Sequence, residues 1–512
     1  MKQLDGPREA RWGRAAPTFT CCLALALGLA SLLHGTQAAA NGRFPASQFV
    51  TLGPGTRADR IALRTTFGVI VSVDGGRSWS WLCEELFDYN STTPWDPPVA
   101  WGGASAATPL FVGTPAGLMR ADDLCAAAHV PEADRDFTGD VTTSVDGETV
   151  YWVASNGTGP NRVLISRDGG RRFTAQGSIA SGVLPLTIEA AGPEARRVYI
   201  TAVASDAPRA MFFRSDDGGA RIEELPIDLR GGTDAYLAGV DRTNPDVVYL
   251  RSSLPGAPNG SPGGTLLLRS IDGGRRFDEI ARTTGPMLGF ALSGDGRTIW
   301  IGGPDAADRL RRSDDGGRTF ARVSDVQTLC LRWHADALYV CAPFVFEGFA
   351  LGRSTDGGRS ITPLLRFQAL GGPSATCAPS STAGSVCAQR WPVLRELIAP
   401  SKDSPDGGAP MDGGTRMDSG TRMDAETRPD VEPPRGGCGC HTRRTTRFGS
   451  VEMALGVLAM AALARRRNPT RRHGGCEPPS PAGGSPGGGS TGGSSGAAAG
   501  VRASGGATRS LR

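Results

Sequence analysis

Six copies of one short phrase lie between residues 72 and 358, and a chain that repeats itself every few dozen residues is built from repeated structural units. The copies are Ser72-Val-Asp74-Gly-Gly76-Arg-Ser-Trp79, Ser166-Arg-Asp168-Gly-Gly170-Arg-Arg-Phe173, Ser215-Asp-Asp217-Gly-Gly219, Ser270-Ile-Asp272-Gly-Gly274-Arg-Arg-Phe277, Ser313-Asp-Asp315-Gly-Gly317-Arg-Thr-Phe320 and Ser354-Thr-Asp356-Gly-Gly358. Successive serines stand 49, 55, 43 and 41 residues apart from Ser166 onward, but 94 apart from Ser72 to Ser166. Midway in that long gap, Gly117-Leu-Met-Arg-Ala121-Asp-Asp123-Leu-Cys125 aligns with Arg309-Leu-Arg-Arg-Ser313-Asp-Asp315-Gly-Gly317. It reads as a decayed copy that kept the Asp. Seven units of roughly 40–50 residues have the size of a four-stranded propeller blade.

Each unit carries the internal pattern of such a blade. In the sixth, residues 287–293 are mostly apolar, Gly294-Asp-Gly296 is a hairpin signal, 298–301 is a second β-rich run, 310–313 leads into the phrase and 318–323 leaves it. The phrase therefore falls in the turn between the third and fourth strands. Ser and Asp side chains accept bonds from the N–H groups of such a turn. The glycines supply positive φ, and the following aromatic can fold over the turn. The innermost strands are expected at 48–52, 99–103, 141–145, 185–191, 234–239, 287–293 and 328–333.

The phrase S-x-D-x-G-x-[ST]-[WF] resembles the Asp-box, or bacterial neuraminidase repeat, over about residues 44–370. The resemblance implies an all-β fold, a seven-bladed β-propeller of four-stranded antiparallel blades. It also implies that the boxes lie on the outer rim, away from the central binding face. The family includes sialidases, sortilin-type receptors, cellulose- and xyloglucan-active enzymes and photosystem-II assembly factors, so it fixes a scaffold more firmly than a reaction.

The two ends differ from the repeats. Arg8, Arg11 and Arg14, the apolar run 21–33 and Ala38-Ala39-Ala40 read as a secretory signal cut after Ala40. The propeller is assigned to 41–370 and a Cys-containing extension of it to 371–400. A polar, disordered Pro/Gly/Asp stalk is expected at 401–437. Gly436-Gly-Cys438-Gly-Cys440, the apolar run 453–464 and Arg465-Arg-Arg467 resemble the myxobacterial C-terminal sorting signal. That resemblance places processing or surface anchoring at Cys438 or Cys440, with a short membrane helix within 438–467. A Gly/Ser/Pro tail, 468–512, closes the chain.

Export puts the cysteines in an oxidising compartment. Six lie in the folded region, Cys83, Cys125, Cys330, Cys341, Cys377 and Cys387, and six allow 15 pairings. The expected set is Cys330–Cys341 across a hairpin, Cys377–Cys387 closing a small loop and Cys83–Cys125 joining the first two blades. Neither a metal site nor a cofactor is expected, since there is no Cys-x-x-Cys and only His129 and His334 lie in the domain.

Catalytic constellations are sparse. A sialidase would need three converging arginines, a Tyr–Glu pair, an acid/base Asp and a Phe-Arg-Ile-Pro phrase. The nearest phrase is Arg43-Phe-Pro45, and Arg332 is the one arginine on the expected innermost strands. Asp234 and Tyr236 share a strand face. Asp140, Glu189 and Asp234 are candidate acids without a pairing that spacing fixes. His334 falls in a hairpin turn. Arg77, Arg171, Arg275, Arg318 and Arg359 should ring one rim, each beside its own Asp. The net charge of +4 names no partner, and no nucleic-acid binding is expected.

The sequence therefore reads as an exported, surface-tethered, monomeric propeller that binds a protein or glycan, with the membrane engaged by its C-terminal segment and no catalysis expected. The alternatives are an exo-glycosidase with a non-standard site and an envelope assembly factor. The insertions at 86–97 and 254–264 are the expected contact loops, with Phe87, Tyr89 and Trp95 as candidate binding residues.

Overall fold

Runs rich in β-branched, aliphatic and aromatic residues, many of them followed by Gly, Pro, Asp or Asn, fold into 28 strands among the described residues. The computed structural model describes residues 44–89, 96–103, 108–133, 135–207, 209–256 and 263–398. The strands pair with their neighbours in the chain to give seven four-stranded antiparallel sheets. The first sheet comprises β1 (Ser47–Leu52), β2 (Ile61–Thr65), β3 (Gly68–Ser72) and β4 (Ser80–Leu82). The others begin with β5 (Val99–Trp101), β9 (Phe137–Thr143), β13 (Val183–Ala191), β17 (Tyr236–Val240), β21 (Gly289–Leu292) and β25 (Cys330–His334). These seven first strands touch in order, and β25 touches β1, so the sheets close around one axis. The fold is an all-β, seven-bladed propeller. The innermost strands start within two residues of expectation except β9, which starts four residues before 141; Asp234 precedes β17, and its Oδ1 accepts the Ser253 N–H at 2.7 Å.

The glycine turns are built by their own side chains. The Ser313 hydroxyl donates to Asp315 Oδ1 at 2.7 Å and accepts the Gly317 N–H at 2.8 Å. The same Oδ1 accepts the N–H groups of Arg318 and Thr319, at 2.9 and 3.0 Å. Equivalent Ser–Asp bonds recur at Asp74, Asp168, Asp217, Asp272 and Asp356. The Thr319 hydroxyl, then the Thr319 N–H and the Ser313 hydroxyl, hold the Asp315 carboxyl below its ordinary range. Burial works the other way on Asp74, but the Ser78 and Ser72 groups hold it at about 2.

Those shifts have a defined consequence for acid stability. A carboxyl whose folded pKa is lowered contributes stability above its unfolded value, about 3.9, and loses it as pH falls through the folded value. Denaturant midpoints should therefore drop steeply between about pH 4 and pH 2. A midpoint equal at pH 5 and pH 3 would show that the turns do not hold the blades.

Among the described residues no close ion pair joins a turn arginine side chain to the carboxylate beside it, though, against burial, the charges of Arg171 and Arg275 help lower Asp168 and Asp272. Arg77, Arg275 and Arg359 instead donate to the carbonyl oxygens of Asp74, Asp272 and Asp356. The first glycines Gly75, Gly169, Gly218 and Gly273 each donate their N–H to the hairpin between strands one and two of their own blade, to the carbonyls of Asp59, Glu148, Arg196 and Asp246. Both sets of turns thus share one face of the ring. Arginines just before the serines clamp neighbouring blades together. Arg214 donates to the Gly273 carbonyl at 3.0 Å and Arg269 to the Gly316 carbonyl at 2.9 Å.

The decayed second repeat has no serine, and the N–H of Cys125, at the second glycine's place, goes to Asp123 Oδ1 instead, at 2.9 Å. Leu124 takes the first glycine's place at φ 64°. A disulfide compensates, though not the expected one. Cys125 bonds Cys377, and Cys83 bonds Cys387. The expected pairs Cys83–Cys125 and Cys377–Cys387 are corrected; Cys330–Cys341 is present, between directly opposed residues of β25 and β26 (Ala337–Cys341).

The physical reason is the path of the chain after the last blade. Residues 371–398 return along the outer edge of the first blade. The Trp81 N–H donates to the Gly372 carbonyl, the Ala383 N–H to the Cys125 carbonyl, and the Trp81 and Trp391 rings meet at 5.9 Å. The helix Ala388–Ile398 buries Leu394 and Ile398 in the core of the first blades and sets Arg390 3.1 Å from Glu85. No helix among the described residues is long and apolar enough to cross a membrane. The expected signal with Ala40, the stalk, Cys438, Cys440, the segment 453–464 and the tail lie outside the described residues.

Candidate functional site

All seven first strands contribute to a central channel that encloses a cavity of about 400 Å³. Because side chains alternate along a strand, every second residue of these strands faces the axis. The walls carry Phe49, Phe137, Leu186, Leu237 and Phe290. Set among them are four arginines, Arg64, Arg242, Arg251 and Arg332, and the carboxylates Asp96, Asp140 and Glu189.

The arginines fall in two pairs. Arg64 opposes Phe49, and Arg251, on β18 (Val248–Ser253), opposes Tyr236. Both therefore sit where first strands begin, the face away from the glycine turns. Arg251 donates to the carbonyls of Met287 and Leu288, at 2.8 and 3.1 Å. Arg64 donates to the Pro97 carbonyl at 3.0 Å and lies 5.5 Å from the Phe49 ring centroid. Burial lowers the Arg251 pKa, while Tyr236 and Asp234 oppose the shift. Arg242 follows β17 in the hairpin toward β18, and Arg332 lies in mid-β25. Burial, then the like charge of Arg332, lowers Arg242 to about 10, with Glu189 opposing. It remains a cation at neutral pH.

The acids are tied to the scaffold. Asp140 Oδ1 accepts the Val141 N–H at 2.8 Å, and Oδ2 accepts the Ile188 N–H of the next blade at 2.9 Å. Burial pushes Asp140 up to about 7; the Ile188 N–H resists this and Glu189 adds to it. Glu189 accepts the Thr142 hydroxyl at 3.1 Å. His334 ends β25 at a hairpin whose Ala335 and Asp336 have φ of 45° and 56°, the turn expected there.

Of the residues picked from sequence, Asp140, Glu189 and Arg332 do meet in the channel. Phe87 does not reach it. It is 0 % exposed in the turn Glu84–Phe87 and belongs to the core of the first blades, which leaves it no surface for contact. Tyr89 packs against the same core, and its buried hydroxyl is pushed up by burial first and then by Glu84. Trp95 lies outside the described residues. Arg64, Arg242 and Arg251 lie off the expected innermost strands, on second strands and in a hairpin, so the strand pattern does not point to them. A signal existed: Ile-Ala-Leu-Arg64 and Val-Tyr-Leu-Arg251 each place one arginine at the same point of an apolar second strand.

The fold and its channel define a seven-bladed β-propeller. No protein-family model matches the chain, and no curated protein matches it. Solved structures similar to it include a GH74 enzyme from Niastella koreensis, at 14% identity over 62% of this chain and 71% of that one, TM-score 0.27. Hydrazine synthase from Kuenenia stuttgartiensis is 14% identical over 63% and 98%, TM-score 0.42. YCF48 from Cyanidioschyzon merolae is 14% identical over 58% and 92%, TM-score 0.40. Likeness at this level carries neither an activity nor a ligand to this chain.

Proposed function

We propose that this chain is an exported, surface-tethered Asp-box propeller that binds a protein or glycan ligand in its central channel. The observation that carries the reading is the channel itself: apolar walls with a few converging charged groups, the usual character of a ligand site. The three disulfides fit an oxidising compartment. The leader ending at Ala40 and the Cys438/Cys440 signal supply the export and anchoring parts of the proposal.

The test is binding of the full chain to glycan and peptide arrays, compared with Leu288→Trp. Leu288 lines the channel and is 41% exposed, so a larger side chain fills space without breaking the core. Array binding should fall about tenfold or more in the variant. Binding equal in both proteins would place the ligand elsewhere.

One observation favours a second reading, the exo-glycosidase. Asp140, pushed up to about 7 by burial with Glu189 adding to the shift, is shared between its acid and anion forms near neutral pH, the range a general acid works in. Against it, both Asp140 oxygens already accept backbone N–H groups. Turnover of aryl glycosides abolished by Asp140→Asn would favour the enzyme; no turnover across the set would leave the binding module.

A further inference from the structure

The pair Arg242–Arg332 is charge the scaffold does not account for. Both side chains line the cavity, and neither guanidinium makes a hydrogen bond or ion pair with a described residue. The contrast with Arg64 and Arg251, which donate to carbonyl oxygens, is direct. Two like charges brought within each other's reach in a half-buried site cost free energy. The charge of Glu189 acts on Arg242, and Glu189 is also engaged by Thr142. His334 feels the same field: burial, then Arg332, then Arg242, pushes its pKa down to about 4. Planar guanidiniums with free donors in a low-dielectric cleft suit a ligand oxyanion, which each can hold by two parallel N–H bonds.

We propose that Arg242 and Arg332 form an oxyanion subsite at the end of the channel nearer the glycine turns, which takes the carboxylate, sulfate or phosphate group of a bound ligand. This rests on the channel being the binding site. The ligand's remaining, uncharged part lies along the apolar walls toward Arg64 and Arg251. The ligand class is then an acidic molecule, with its anionic group leading into the channel.

The experiment titrates the full chain at low ionic strength with inorganic sulfate, inorganic phosphate and D-glucuronate, against matched chloride, and follows the His334 ring resonance and the heat of binding. A bound oxyanion cancels part of the local positive field, so the His334 pKa rises, and the oxyanion that saturates first names the group. Arg332→Gln should weaken binding about tenfold or more. Arg332→Lys, which keeps the charge but not the fork, should recover part of it. Glu189→Gln removes the competing negative charge and should tighten binding. Added chloride should weaken all three ligands.

The proposal is overturned if Arg242→Gln/Arg332→Gln, folded by circular dichroism, binds the anions as the parent does, or if no anion moves His334. Array ligands lost in Leu288→Trp, with a silent His334, would remove the subsite and leave channel binding intact. Array binding unaffected by Leu288→Trp together with a His334 response would do the reverse.

Discussion

Replacing Cys83 and Cys387 with serine will cost about 4 kcal/mol of stability, and removing the Cys125–Cys377 bond as well will cost more than the two single losses combined. The reason is nesting. The bonds span separations of 304 and 252 residues, and the shorter lies inside the longer. Whichever bond is present first closes a very long loop of the unfolded chain. The other then closes only roughly fifty residues, which in the loop-entropy account is smaller by about 1.5 kcal/mol. Each single removal leaves the long loop closed, so the large share appears when both bonds are gone. The Cys330–Cys341 bond spans 11 residues of a hairpin already held by its ladder, and its loss should cost least. Denaturant midpoints of the three pairwise serine variants and of the quadruple variant measure the order. A quadruple variant that unfolds with the parent would mean that the two bonds add nothing to the hold of residues 371–398 on the first blades.

That closure was only half visible in the sequence. The fold came through because the phrase recurs in register and most of its chemistry is local: the Ser hydroxyl, the Asp carboxylate and the N–H groups of the second glycine and the two residues after it satisfy one another within seven residues. The disulfides depend on where residues 371–398 travel, and nothing local sets that path. A small closed loop favours Cys377–Cys387, and adjacency of the first two blades favours Cys83–Cys125. Contacts such as Trp81 with Gly372 and Trp391 send both members of each expected pair to other partners. Every blade is made of four consecutive strands, so no blade shares strands from both chain ends. The extension and its two bonds join the ends instead.

The channel was legible in part for the same reason. Asp140, Glu189 and Arg332 sit on first strands, and strand alternation is enough to aim them at the axis. Arg64 and Arg251 reach the channel from second strands because an arginine stem is long enough to pass the first strand's edge. Arg242 reaches it from a hairpin. Phe87 looked like a contact residue because its loop is long and aromatic. The turn Glu84–Phe87 folds that ring inward, where burial of a Phe stabilises by about 1.5–3 kcal/mol.

Gly170→Ala and Gly274→Ala will each destabilise the chain by about 3 kcal/mol, far more than Gly75→Ala, and the difference isolates how the blades lock together. Both residues have positive φ, 88° and 85°, as does Gly75 at 76°. A Cβ at any of the three therefore meets backbone strain of about 1 kcal/mol. The surroundings separate them. A Cβ on Gly170 would lie 2.2 Å from the Phe111 ring, and one on Gly274 would lie 2.3 Å from the Phe212 ring, whereas nothing stands within 4 Å of Gly75. Phe111 and Phe212 belong to the preceding blades. They meet Phe173 and Phe277 edge to face at 5.9 and 5.3 Å, so each bare glycine lets a neighbour's ring slide under the turn. Leu124 at φ 64° in the second blade shows that a side chain is tolerated at the first glycine position. Midpoint shifts for the three alanine variants decide the matter. Equal losses at Gly75 and Gly170 would reduce the second glycine to a backbone requirement and remove its part in packing blade on blade.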